Sequence, residues 1–152
     1  MDGVNRDRKI SEGGLALIQQ FEGLMLTAYK DSVGIPTIGY GHTRNVRMDD
    51  MITREEAIDF LKDDVQYAEN CVKSEINQVR LTQHQFDALV SFVFNIGCSA
   101  FRNSTLLRCL RMGDFEAAQG QFGQWTRAGN DHPLGLIKRR AAEADWFGQR
   151  DE

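Results

Sequence analysis

The stretch Phe21–Thr43 restricts the fold of this chain more than any other part of the sequence. It reads FEGLMLTAYKDSVGIPTIGYGHT. Apolar residues recur at helical spacing before it, and Gly23 is a typical helix stop. Two short extended runs follow, separated by a turn that contains Asp and Gly. The sequence therefore predicts a helix that leads into a β-hairpin.

Glu22 is predicted to lie at the C-terminal end of that helix. Ser11 has the chemistry of its N-cap. Leu15 and Ile18 share a helix face with Glu22, because these residues follow one another at helical spacing. An apolar face at the negative end of the helix dipole favours a carboxyl group that keeps its proton. Glu22 is therefore a candidate general acid.

The predicted hairpin supplies a second carboxyl group. Leu26–Tyr29 and Ile35–Tyr40 have the composition of its strands, and residues 30–34 form the turn. Strand pairing is expected to bring Asp31 near Glu22 from a separate element. Asp31 has polar neighbours and is expected to be more exposed and to stay ionised. Two carboxyl groups in contrasting environments are the acid/base arrangement of glycoside hydrolysis.

The motif EG(x)5Y(x)D(x)2G(x)2TIGYGHT carries Glu22, Asp31 and Thr37 at fixed spacing. It resembles the phage-type lysozymes, the endolysin muramidases of glycoside hydrolase family 24. The resemblance covers nearly the whole chain. It continues through FNIG at Phe94–Gly97, FRNSTLLR at Phe101–Arg108 and WTRAG(x)5GLxxRRxxE at Trp125–Glu143.

The resemblance implies hydrolysis of the β-1,4 bond between N-acetylmuramic acid and N-acetylglucosamine in peptidoglycan. Glu22 would protonate the leaving oxygen, and Asp31 would stabilise the developing positive charge and help to activate water. Thr37 would position that water through its hydroxyl. A water between carboxylate and sugar needs carboxyl groups roughly 6.5–9.5 Å apart, so the expected reaction inverts the anomeric carbon. No cofactor is expected.

The resemblance also implies contacts beyond the acid/base centre. Thr43, Phe94 and Ser104 are the expected substrate-binding residues. Ser104 has a second interpretation as a helix N-cap, and the sequence leaves both open. An arginine of the last helix is expected to approach the catalytic carboxyl group, and the sequence does not choose between Arg139 and Arg140.

Two other functions remain for such a chain. One is a peptidoglycan-binding module with an inactive site, against which the intact set of Glu22, Asp31 and Thr37 argues. The other is a lytic transglycosylase, which cleaves the same bond without adding water. That chemistry needs the acid but no water-positioning pair, so Asp31 and Thr37 count against it as well.

Composition narrows the class of protein further. At 152 residues the chain suits one domain with a sizeable core. Its 41% hydrophobic and 26% charged residues are typical of a globular protein. The formal net charge of −4 disfavours a nucleic-acid partner, which favours a basic surface. We expect a monomer whose partner is the glycan strand of peptidoglycan.

The expected location follows from the absence of apolar segments. No run is long enough to span a bilayer, and the charged N-terminal residues lack the apolar segment of a secretory signal. No stable membrane association is therefore expected. The enzyme is expected to accumulate in the host cytoplasm and to reach the periplasm and cell wall on release. Release at the end of a phage cycle would depend on a holin-type membrane partner.

Cysteine and histidine usage predicts no metal site. Cys71, Cys98 and Cys109 are an odd number of cysteines without metal-like spacing. We expect three free, partly buried thiols, as is usual in a reducing cytoplasm. The three histidines are widely separated. His42 is expected to be a structural, hydrogen-bonding histidine.

The rest of the sequence predicts a mostly helical chain. A capping box at Thr53–Glu56 opens a long helix that is expected to reach about Ile76. A second capping signal at Thr82–Gln85 opens a buried helix that Gly97 ends. Shorter helices are expected at 104–112 and 114–125, and a last helix after Pro133.

These elements predict an α+β fold, lysozyme-like and mostly helical, with a small antiparallel sheet near the N-terminus. A single catalytic domain is expected over residues 1–152. The resemblance implies a small sheet-bearing lobe at about 10–55 and a helical lobe at about 77–150. The long helix at about 53–76 would join them, with the cleft between the lobes.

Overall fold

The computed structural model describes residues 3–150 and confirms the predicted fold class. Within that range the chain is mostly helical and carries one small antiparallel sheet. Its helices and strands are α1 (Glu12–Glu22), β1 (Met25–Lys30), β2 (Pro36–Gly39), α2 (Arg54–Asp64), α3 (Gln66–Glu75), α4 (Gln83–Ile96), α5 (Cys98–Arg102), α6 (Thr105–Arg111), α7 (Phe115–Gln121), a 3₁₀ turn (Phe122–Gln124) and α8 (Leu134–Phe147).

The chain divides into two compact units. The smaller unit is Ile18–Gln66 and contains the hairpin and α2. The larger unit combines the chain before Ile18 with the chain from Tyr67 onward. Helix α1 therefore begins in the larger unit and ends in the smaller one. Among the described residues, no helix is long and apolar enough to cross a bilayer.

The hairpin forms as the sequence predicts. Strands β1 and β2 pair antiparallel with Tyr29 opposite Thr37, and the register shifts between Met25 and Tyr29. The other edge of β1 pairs over a short stretch with a later segment, where the Ala28 N–H donates to the Asp50 carbonyl at 3.0 Å. The hairpin is therefore held along both edges of β1 within the smaller unit.

The N-terminus of α1 is capped by Ser11, as predicted. The Ser11 hydroxyl oxygen accepts a hydrogen bond from Gly14 N–H at 3.1 Å. The Asp87 carboxylate on α4 accepts from Ser11 N–H at 3.0 Å and from the Ser11 hydroxyl. A Cβ at Gly14 would lie 2.6 Å from the Asp87 carboxyl carbon, so only glycine allows this close approach. The start of α1 is thus anchored in the larger unit.

The prediction of a single long helix that reaches about Ile76 is wrong. The structure has two helices, α2 and α3, which are interrupted at Val65. Val65 has ψ −10°, whereas a regular α-helix has ψ near about −42°. The apolar stripe hid this break because Val65 is buried like Leu61 and Ala68 on the same stripe, and no Gly or Pro marks the position.

Helix α4 forms the centre of the larger unit. Its predicted capping box is present between Thr82 and Gln85, and it ends at Gly97, whose φ is +91°. The Phe92 ring is fully buried and meets the rings of Phe101, Phe122 and Trp125 in edge-on geometry. Such edge-on contacts are the favoured packing of aromatic rings.

The prediction of three free thiols is also wrong. Cys71 on α3 and Cys98 at the start of α5 form a disulfide, with Cα atoms 6.0 Å apart. Cys109 is a free thiol. The pairing depends on how α3 and α5 pack against each other. A sequence separation of 27 residues gives no local sign of it.

Candidate active site

Glu22 is the last residue of α1, as predicted. Gly23 follows with φ +72°, and its N–H donates to the Gln19 carbonyl at 3.2 Å. The half-buried Glu22 carboxyl group lies against Gly41, where an added Cβ would sit 3.2 Å from Glu22 Oε1. Gly41 has φ +81°, so both space and backbone conformation favour glycine there. Gly41 thus makes room for the carboxyl group.

Asp31 directly follows β1 and is held by the hairpin turn. Its Oδ1 accepts hydrogen bonds from the N–H groups of Val33 and Ile35, both at 2.9 Å. Its own N–H donates to the Ile35 carbonyl at 3.0 Å. These bonds fix the direction of the carboxylate, and they all use Oδ1 or the backbone. Oδ2 remains for a substrate or a water.

Thr37 lies in β2 and is 4% exposed. Its hydroxyl donates to the Ile35 carbonyl at 2.8 Å. A hydroxyl has one proton and two lone pairs, so a Thr37 oxygen that donates to Ile35 can still accept a hydrogen bond from water. Both Asp31 and Thr37 are therefore fixed through the backbone of Ile35.

The three predicted catalytic residues lie within the smaller unit, on consecutive elements. Glu22 ends the helix, Asp31 begins the turn and Thr37 lies on the returning strand. The unit thus combines a carboxyl group packed on a glycine, a second carboxylate held by backbone N–H groups, and a hydroxyl with free accepting capacity. These are the parts of an acid, a base and a water-binding group.

His42 is structural, as expected. Its Nδ1 lies 2.7 Å from Asp64 Oδ2, and its ring stacks on Phe60 with centroids 4.2 Å apart. Its backbone pairs with Ile38 through two hydrogen bonds of 2.9 and 2.8 Å. The residue therefore links the end of the hairpin to α2. The sequence did not identify Asp64 as its partner, because the contact joins separate elements.

The expected substrate-binding residues differ in exposure. Thr43 is exposed next to His42. Phe94 is half-buried on α4, and its ring lies 6.2 Å from that of Tyr67. Ser104 is 3% exposed, accepts from Leu107 N–H at 3.0 Å and donates to the Phe101 carbonyl at 2.7 Å. Ser104 is thus the N-cap of α6.

Comparison with known proteins places the chain in a family. The model of the phage lysozyme family matches residues 19–143. An endolysin of Acyrthosiphon pisum secondary endosymbiont phage 1 is 48% identical, and the alignment covers 91% of this chain and 97% of that protein. The endolysin of Salmonella phage P22 is 43% identical, with 90% and 96% covered. This chain belongs to the phage lysozyme family.

A solved structure agrees with this membership. The muramidase domain of SpmX from Asticaccaulis excentricus has a TM-score of 0.88 and 38% identity to this phage lysozyme. The similarity covers 94% of this chain and 99% of that one. The matched family region contains Glu22, Asp31 and Thr37.

The last helix of this phage lysozyme carries a buried charge cluster. Arg139 Nε donates to Glu143 Oε2 at 3.2 Å, and Arg140 donates to Glu143 Oε1. Glu143 Oε2 also accepts from the Ser91 hydroxyl at 2.6 Å. Burial lowers the pKa of Arg140 from its ordinary value, and the charge of Glu143 opposes that shift. The approach of Arg139 or Arg140 to the catalytic carboxyl group stays a prediction.

Proposed function

We propose that this chain is an endolysin that hydrolyses the β-1,4 bond between N-acetylmuramic acid and N-acetylglucosamine in peptidoglycan. Membership of the phage lysozyme family supports the enzyme class. The observation that carries the proposal is the placement of Glu22, Asp31 and Thr37 on consecutive elements of one compact unit. The Asp31 and Thr37 side chains are held by backbone hydrogen bonds that leave Asp31 Oδ2 and the Thr37 lone pairs for chemistry.

The proposed reaction is a single displacement. Glu22 gives its proton to the glycosidic oxygen as the bond to the anomeric carbon breaks. A water oxygen attacks that carbon from the opposite face, and its proton passes to Asp31 Oδ2. Thr37 accepts a hydrogen bond from the water and so directs its lone pair at the carbon. Asp31 also stabilises the positive charge that develops on the sugar ring.

Two of the expected substrate contacts fit this proposal well. The exposed hydroxyl of Thr43 and the accessible part of the Phe94 ring are available to a glycan strand. An aromatic face packs well on the apolar face of a sugar ring. Both hydrogen bonds of the Ser104 hydroxyl are made inside the protein, so its proposed contribution is to hold the start of α6.

The proposed biological role is host lysis at the end of a phage cycle, with release through a holin-type membrane partner. The disulfide adds a condition to the expected location. Disulfides are rare in a reducing cytoplasm and persist in the periplasm. The Cys71–Cys98 bond is therefore proposed to form after release, so that the cytoplasmic chain carries thiols and the enzyme at the wall carries the disulfide.

Mass spectrometry of a digested cell wall tests the proposed function. Purified peptidoglycan is incubated with the native enzyme and with Glu22→Gln as the inactive control. The proposal predicts fragments that end in a reducing, hydrated N-acetylmuramic acid. Fragments with 1,6-anhydro ends would show the transglycosylase instead. Binding to the wall without new ends would show a module that only binds.

A further inference from the structure

The larger unit contains a cavity of about 750 Å³. Its lining combines an aromatic ring, amide side chains and basic side chains, and no carboxylate lines it among the described residues. The residues that give it this character are Asn95, Gln124, Trp125, Arg127, His132 and Leu136. An apolar ring beside a few convergent polar groups is the usual composition of a ligand site.

Arg140 holds two of these lining residues from the protein interior. It is 1% exposed, and its Nε donates to the Trp125 carbonyl at 2.9 Å. Its Nη2 donates to Asn95 Oδ1, and its Nη1 donates to Glu143 Oε1. The guanidinium carbon lies 5.0 Å from the centre of the Phe92 ring. One planar group therefore ties the end of α4 to the segment that follows the 3₁₀ turn.

This contact decides which way the Asn95 amide points. Arginine has only donors, so the atom that faces it must be the Asn95 carbonyl oxygen. The NH₂ group of the exposed Asn95 is then left for another partner. Trp125 is half-buried at the same cavity, and its ring packs edge-on against Phe92 with centroids 5.7 Å apart. A fixed donor thus stands beside a fixed aromatic ring.

We infer that Arg140 is a positioning residue that preforms a sugar-binding wall from Asn95 and Trp125. The ligand is an N-acetylated hexose unit of the glycan strand. Its acetamido carbonyl accepts from the Asn95 NH₂ group, and its ring packs on the Trp125 indole. Arg140 acts through these two residues and does not touch the sugar. This inference rests on the proposed function, because it assumes that the chain binds a peptidoglycan strand.

The first test changes the exposed member of the wall. Asn95→Asp keeps an acceptor for Arg140 and removes the NH₂ donor. Binding of soluble peptidoglycan oligosaccharides is measured in a Glu22→Gln background, where the ligand stays intact. The Kd is expected to rise about tenfold or more, which corresponds to one lost hydrogen bond in a desolvated site. The midpoint of thermal unfolding should not fall.

Asn70→Asp is the matched control for this change. Asn70 is exposed on α3, does not line the cavity and undergoes the same change of charge. Its Kd is expected to equal that of the parent protein. An unchanged Kd for Asn95→Asp would overturn the inference, and so would an equal loss in both variants.

The second test changes Arg140 itself. Arg140→Lys keeps the charge but replaces the planar guanidinium group with an ammonium group. Asn95 and Trp125 then lose the hydrogen bonds that they share with one side chain. The Kd is expected to rise about tenfold, as for the loss of one or two hydrogen bonds. With Trp146→Phe, the remaining Trp125 reports on the wall, and acrylamide is expected to quench its fluorescence more strongly in Arg140→Lys. Unchanged quenching together with an unchanged Kd would contradict the inference.

A general loss of stability must be separated from this effect. Leu110→Ala removes a fully buried side chain of α6 that does not line the cavity, so it should lower stability and leave the Kd per folded molecule unchanged.

In an Asn95→Ala background, the effect of Arg140→Lys on the Kd should shrink at least threefold. Fully additive effects would overturn the inference. If Arg140→Lys does not fold, the Kd of Asn95→Asp alone decides whether the inference holds.

Failure of this inference differs from failure of the proposed function. A native enzyme that releases no new ends from peptidoglycan would remove the proposed function. A native enzyme that cleaves the wall while Asn95→Asp binds oligosaccharides normally would remove only the role of Arg140 and its wall.

Discussion

The backbone shapes the surroundings of each residue of the proposed catalytic centre in a different way. Glu22 ends a helix beside a glycine with positive φ, and its carboxyl group packs on Gly41. Asp31 Oδ1 accepts two turn N–H groups. The Thr37 hydroxyl donates to a carbonyl two residues away. Since these features are made by the backbone, a conservative change of one side chain should test the chemistry of that side chain while the fold stays intact.

Replacing Glu22 by Gln tests the general acid. The amide keeps the shape of the side chain but cannot give up a proton as an acid. The rate of release of reducing ends should fall by at least about 10²-fold, the lower range of a general-acid contribution. Thermal stability should be kept, because the amide has nearly the same size and shape as the carboxyl group. Glu12→Gln on the exposed first turn of α1 is the control and should stay active. Near-native activity of Glu22→Gln would remove it from the mechanism.

Two substitutions of Thr37 test the water-positioning hydroxyl. Thr37→Ser keeps the donor to the Ile35 carbonyl and the lone pairs that hold water, so it should retain substantial activity. Thr37→Val keeps the shape and should lose most of the activity. Initial rates on purified peptidoglycan, corrected for folded fraction, make the comparison. Equal rates for two folded variants would show that the hydroxyl does not position water.

At the scale of elements, the smaller unit depends on the contact between the hairpin and α2. His42 is 8% exposed and is held by Asp64, by Phe60 and by backbone pairing with Ile38. If a buried imidazole loses its hydrogen-bond partner, the free energy of removing it from water is no longer offset, and the folded state is destabilised. The Asp64 side chain should therefore contribute more to stability than an exposed carboxylate on the same helix.

Asp64→Ala should lower the free energy of unfolding by about 1–3 kcal/mol, the cost of an unsatisfied buried polar group. Asp63→Ala is the neighbouring control, because Asp63 is exposed on α2, and it should change stability by no more than about 0.5 kcal/mol. Denaturant unfolding followed by circular dichroism measures both. Equal effects in the two variants would show that the His42 contact adds nothing to the stability of the fold.

The disulfide is a second contact between elements, in this case α3 and α5. A thiol reagent in denaturant should count one thiol in the oxidised protein, Cys109, and three after reduction. Reduction should lower the free energy of unfolding by about 2–4 kcal/mol, since the bridge restricts the unfolded chain. Cys71→Ser should abolish this difference between oxidised and reduced protein, whereas Cys109→Ser should keep it. Three thiols in a fully oxidised sample would contradict the bridge.

At the scale of the whole molecule, features set by local chemistry were predictable from sequence. Ser11, the capping box at Thr82 and the glycine stop after Glu22 depend on neighbouring residues only, and all three are present. Three other contacts join residues far apart in the chain: the His42–Asp64 hydrogen bond, the Cys71–Cys98 disulfide and the hydrogen bond from Arg140 to Asn95. No periodicity or spacing marks such contacts. The break at Val65 was missed for a different reason, because buried helix interiors and buried helix ends look alike in the apolar pattern.

In the proposed mechanism, the chain hydrolyses a glycan strand by one displacement with a positioned water. That arrangement requires inversion at the anomeric carbon, because the water attacks from the face opposite the leaving group. The most direct measurement is proton NMR early in digestion, before mutarotation. New reducing ends of N-acetylmuramic acid are predicted in the α configuration. A β product would contradict the account, since it would indicate a covalent intermediate on Asp31, and so would 1,6-anhydro ends, which arise without water.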